Sequence, residues 1–237
     1  MARIRQAVLA IAFFVCGSPA LAQDGFVNVY EIPSNVSINV ISNQLMHERL
    51  NKTIHHWDLY EAEQKAKKAA AAAPRAQVTG QGVSQLAAGL PKSEAAVGQA
   101  AYRQAFAYHE QVIRKFGLPS GDLGVGLASA VAGAWMAYNN KPFPDQYYVP
   151  LVEQMRQRAG GLQSLSAADR TVTYESLAVL GMLLASSQIT WQRNPRAPGA
   201  DALRAQMREQ GGQTLTRMLE TPPDRVGIGA AGVYPLR

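Results

Sequence analysis

The stretch LGVGLASAVAGAWMAYNN, residues 123–140, runs without a single charge. Small residues recur along it at four-residue steps, as Gly124, Ala128 and Ala132 and again as Gly126, Ala130 and Ala134. Such files let a neighbouring helix approach closely, while the Gly, Ser and Asn content disfavours lipid as the surrounding medium. The stretch therefore predicts a central helix buried by other helices. Residues 176–192, again free of charge, predict a second buried helix, which starts at a capping-box-like pair, Ser166 and Asp169, and extends to about Trp191.

Three amphipathic segments are expected to wrap these two. Beyond Lys92, Tyr102, Phe106, His109, Ile113 and Phe116 share one face and Arg103, Glu110, Arg114 and Lys115 the other, with Gly117 and Pro119 ending the helix. After the rigid turn Lys141-Pro142-Phe143-Pro144, a helix turns Leu151, Val152 and Met155 inward; Pro150 starts or kinks it and Gly160-Gly161 ends it. A last helix over 200–220 faces inward with Leu203, Met207, Leu215 and Met218, is expected to bend at Gly211-Gly212, and stops at Pro222-Pro223. This layering predicts an all-α fold, a compact bundle of about five helices.

The regions outside the bundle read differently. Residues 1–22 carry Arg3 and Arg5, an apolar core over 7–15 and an Ala20-Leu21-Ala22 cleavage pattern, which together form a secretory signal peptide. Cleavage would remove Cys16, the single cysteine, and leave a thiol-free chain suited to the periplasm or the exterior. Residues 23–91 form an appendage: a short strand at Val36, Ile38 and Val40, a helix over 44–73, and an Ala/Gly-rich linker over 75–91. Residues 92–221 are the helical domain, and 222–237 a tail whose Val226 and Ile228 suggest a short strand that could pair with the one near the N-terminus. At 47% hydrophobic and 17% charged the chain is too apolar to be wholly disordered. No stretch reads as a membrane span in the mature chain. Loss of Arg3 and Arg5 with residues 1–22 would lower the net charge from +6 to +4, which suits weak attraction to anionic envelope surfaces, and export argues against a nucleic-acid partner.

Few residues suggest chemistry. His47, His55, His56 and His109 lack the i,i+4 pairing of a helical metal site, and His109 lies on an apolar stripe, so no metal is expected. There is no phosphate-binding glycine loop and no nucleophile elbow, so no cofactor is expected; Ser129, Ser186 and Ser187 have no histidine close in sequence. Glu175-Ser176 resembles the catalytic Glu-Ser of lytic transglycosylases, and a carboxyl group shielded from water is what a general acid requires. The Gly-Leu-Met-Gln segment of those enzymes is missing, however, and Gly181-Met182-Leu183 replaces it poorly. The bland alternative is a glutamate near an exposed helix end, paired with Arg170 or Arg193. Trp135, Tyr138, Phe143, Tyr147 and Tyr148 surround the proline turn and are candidates for a glycan or peptide groove, or else close the end of the core.

The order of a signal peptide, an Ala-rich segment, the run 122–138, Pro144 followed by Leu151-Val152-Glu153-Gln154-Met155-Arg156, and Tyr174-Glu175 with Leu180-Gly181-Met182 is similar to a family of bacterial exported proteins catalogued only as a domain of unknown function. The resemblance covers about residues 99–220 and implies an all-helical domain without supplying an activity. Together these readings predict an exported, non-catalytic module with an envelope or protein partner; the alternative is a peptidoglycan hydrolase using Glu175.

Overall fold

A computed structural model describes residues 75–162 and 164–236. The expected signal peptide, the strand near Val36 and the helix over 44–73 lie outside them. Six α-helices are described: α1 (Gln81–Ala88), α2 (Ala95–Lys115), α3 (Leu123–Asn139), α4 (Tyr148–Arg158), α5 (Ala167–Arg193) and α6 (Ala200–Leu219). An antiparallel hairpin follows, β1 (Val226–Gly229) with β2 (Gly232–Pro235).

The two charge-poor stretches are the centre of the molecule, as their composition predicts. All but three residues of α3 are buried, and α5 is buried without a break from Thr171 to Gln188. They lie side by side and run in the same direction. Gly126 rests on Tyr174 and Leu177, Gly133 on Gly181, and at the C-terminal ends Gln192 reaches the Asn140 carbonyl. At the crossing the two backbones touch. A Cβ on Gly181 would run into the Ser129 carbonyl and the Ala130 nitrogen, and one on Gly133 into the Gly181 backbone. The closest contact thus falls on the file Ser129–Gly133, between the two small-residue files that stand out in the sequence. Gly211 of α6 plays the same part against Ala134 and Tyr138, and α6 continues as a helix through Gly211-Gly212. α5 is the one helix among the described residues long and apolar enough to cross a membrane, which corrects the expectation that no stretch is; 94% of its apolar window is buried within the protein.

Helix ends follow local chemistry. Asp122 caps α3 with one carboxylate oxygen, 2.8 Å from the Gly124 nitrogen, and holds Arg156 of α4 with the other at 2.7 Å. Ser166 caps α5 by accepting from the Asp169 nitrogen, as expected. Pro150 sits in the first turn of α4, where a missing N–H costs nothing.

Two further expectations are revised. Residues 75–91, read as a linker, contain α1, which rests on α5 and α2 through Val83, Leu86 and Ala87. Its apolar face spans only two turns, too short for periodicity to register against the surrounding Gly and Gln. The C-terminal tail does form a strand, but it pairs with its own next segment, Ile228 opposite Val233. Gly232, at φ 91°, permits the tight reversal. The Gln154 amide docks the hairpin on α4, accepting from the Val233 nitrogen at 2.9 Å and donating to its carbonyl at 2.8 Å.

Candidate functional site

Glu175 lies inside the bundle with no exposed surface. Its position follows from α1, whose N-cap is Gly80 and therefore has no side chain to cap the first turn. Thr79 Oγ1 accepts from the Gln81 nitrogen at 3.3 Å. Glu175 supplies the rest from across the core: Oε1 accepts from the nitrogens of Thr79 (2.8 Å) and Gly80 (2.7 Å), and Oε2 from that of Gly82 (2.6 Å). Three charge-assisted bonds and the positive end of the helix dipole compensate the buried carboxylate. A side chain on Gly82 would strike the Glu175 Cβ, so α1 sits directly on the carboxylate. Glu175 is thus neither at an exposed helix end nor paired with Arg170 or Arg193. It also lines no open cleft in which a sugar could meet it.

Beside it runs a buried polar chain that crosses α2, α3, α4 and α5. Tyr148 Oη is 2.7 Å from Ser129 Oγ, which is 3.1 Å from His109 Nδ1. His109 Nε2 is 3.0 Å from Tyr174 Oη, which donates to Glu110 at 2.8 Å. One assignment satisfies each of these links with a neutral imidazole: Tyr148 donates to Ser129, Ser129 to Nδ1, Nε2–H to Tyr174, and Tyr174 to the half-buried Glu110. Ser129 Oγ also lies 3.0 Å from the Val125 carbonyl one turn back. Burial lowers the His109 pKa from its ordinary 6.5 to about 3 and raises those of Tyr148, to about 12, and Tyr174. A serine beside a histidine has the parts of a nucleophile and its base. Here both are sealed, Ser129 at 1% and His109 at 0% exposure. Sequence distance concealed this pairing; the position of His109 on an apolar stripe was its one visible sign.

The neutral His109 has a measurable consequence. The unfolded chain takes up the proton near pH 6.5 whereas the folded chain resists it, so the stability tied to this group is complete above pH 6.5 and is lost as pH falls towards 3. Urea unfolding should show this as up to about 1.4 kcal/mol lost per pH unit through that window. His109→Asn should flatten the slope, at the cost of a lower stability at neutral pH.

The five aromatic candidates separate into two groups. Trp135, Phe143 and Tyr148 form an edge-to-face file, with centroids 5.9 Å and 6.3 Å apart, and Phe116 joins it 5.0 Å from Tyr148. Phe143 and Tyr148 are buried there, and Tyr147 is half-buried on the turn into α4. Tyr138 points elsewhere, towards α6, so the five do not line one groove. Arg208 stacks over its ring at 4.5 Å and donates to its hydroxyl at 3.3 Å. One turn earlier on α6, Arg204 stacks over Trp191 at 5.3 Å. These contacts hold two exposed guanidiniums against aromatic faces, each worth about 0.5–1 kcal/mol. Among the described residues no group of His, Cys, Asp or Glu could hold a metal ion.

No curated protein and no solved structure matches the chain significantly. The family of unknown function DUF6683 matches residues 2–234, nearly the whole length, and the chain belongs to that family.

Proposed function

We propose that this protein is an exported helical module, periplasmic or secreted, that acts by binding an envelope or protein partner and not by catalysis. The observation that carries the reading is the use of Glu175, the residue that the sequence singles out as a candidate general acid, as the cap of α1. Both of its oxygens accept backbone N–H groups in a site closed to water. The sealed state of the Ser129–His109 pair supports the same view, since a nucleophile must reach its substrate. Residues 1–22 support export by their charge, core and cleavage pattern.

Purified mature protein incubated with peptidoglycan is expected to release no soluble muropeptides. Release would overturn the proposal, and its loss in Glu175→Gln, assayed where that variant remains folded, would assign the activity to Glu175. Mass spectrometry of the exported protein is expected to find Gln23 at its N-terminus; a chain retained in the cytoplasm with Met1 or Ala2 first would remove the export part.

A further inference from the structure

We infer that the end of the bundle where α3 and α5 finish and α6 begins docks on an anionic phospholipid surface. The inference rests on the binding-module reading and names its envelope partner. Three chain segments converge there: Gln192 donates to the Asn140 carbonyl, Arg204 covers Trp191, and Arg208 covers Tyr138. Residues 139–142 and 191–209 bring Lys141, Arg193, Arg196, Arg204 and Arg208 to this end, against Asp201 and Glu209. Lys141, Arg196, Arg204 and Arg208 are exposed, and none of them makes an ion pair among the described residues. The N-cap of α6 is Gly199, without a side-chain cap, so the positive end of that helix dipole adds to the same potential.

The arrangement favours a headgroup layer over a single small anion. The cations are spread over two helix ends, a connecting loop and the first turns of α6, instead of converging on one point. Their guanidiniums lie on the half-buried rings of Trp191 and Tyr138, with Trp135 a turn away, and cations beside amphipathic aromatics suit the interface between water and lipid. None of the exposed large hydrophobic side chains lies within residues 139–142 or 191–209. Attachment is therefore electrostatic, without insertion, and sensitive to salt.

The mature chain should cosediment at low salt with vesicles of phosphatidylglycerol in phosphatidylcholine, but not with phosphatidylcholine alone, and high salt should release it. Each cation near an anionic leaflet contributes about fivefold, so Arg204→Gln with Arg208→Gln should weaken binding roughly thirtyfold. Arg204→Lys with Arg208→Lys should retain it. Arg103→Gln with Arg114→Gln removes the same charge from α2 and should leave binding unchanged. Absence of vesicle binding, equal binding to both vesicle types, or equal losses in the two Gln pairs would overturn the inference. Melting curves of each variant separate lost binding from lost fold. A negative vesicle result beside a negative muropeptide assay removes this inference alone, whereas muropeptide release removes the module reading whatever the vesicles show.

Discussion

Replacing Glu175 with Ala is expected to destabilise the protein by about 3 kcal/mol, because three backbone N–H groups, that of Gly82 buried and those of Thr79 and Gly80 partly so, lose a charged acceptor at once. Gly80 has no side chain to cap α1 in its place, and the Gly82 nitrogen lies buried against α5, where no other acceptor replaces the carboxylate. Glu175→Gln should recover part of the loss, since it keeps one oxygen but turns an NH2 group towards a donor. Glu175→Asp should recover little, because a side chain one methylene shorter cannot reach both Thr79–Gly80 and Gly82. Urea unfolding measures the size of the effect. Amide exchange at Gly80 and Gly82 locates it, with both amides losing protection ahead of the α3 and α5 core. A loss below about 1 kcal/mol in Glu175→Ala would mean that the carboxylate does not hold α1.

The second large effect belongs to Gly181. Its Cβ position is filled by the Ser129 carbonyl and the Ala130 nitrogen, which are backbone atoms of a buried helix and cannot swing aside as a flexible side chain would. Gly181→Ala should therefore force α3 and α5 apart where their backbones touch, at a cost of about 3 kcal/mol. Helix propensity works the other way, favouring Ala over Gly by about 1 kcal/mol, so a net destabilisation would be the signature of the crossing. Gly161→Ala is the control: nothing lies near its Cβ position, and its stability should barely change. Gly133→Ala should cost a similar amount to Gly181→Ala, and the double variant less than their sum, since either substitution alone already separates the helices. Thermal or urea unfolding of the four proteins tests the set.

These two sites also mark how far the sequence could be read. The fold class was legible because it rests on repeated local signals: the absence of charge over 123–140 and 176–192, the stripe Tyr102–His109–Ile113, and the Ser166 cap. Each of these survives without knowledge of the partner helix. The location of the α3–α5 crossing was legible only as a tendency. Gly124 and Gly126 stand out as members of small-residue files, yet the backbones meet at Gly133, since the register of two packed helices depends on all their side chains together. α1 escaped notice because its stability comes from α5 and α2 and from a carboxylate far along the chain, not from its own eight residues.

The candidate site was least legible of all. Glu175 was conspicuous as the last charge before an uncharged run, but the same residue could have faced a cleft, solvent or a helix end. Which of these holds depends on what packs above it, and that is α1. His109, Ser129, Tyr148 and Tyr174 lie on four different helices, so nothing in their spacing announces that they form one hydrogen-bonded chain.

By itself the sequence determined that most of the described chain is helical, which faces of α2 to α6 turn inward, where those five helices begin and end to within a few residues, and which two are central, because periodicity, caps and charge exclusion act over a few residues. Only the tertiary structure decided that Glu175 closes a helix N-terminus instead of facing a substrate, that a serine and a histidine meet out of reach of water, and that α6 brings its arginines onto Trp191 and Tyr138. Those outcomes depend on contacts between segments tens of residues apart, whose geometry is set by the packing of the whole bundle.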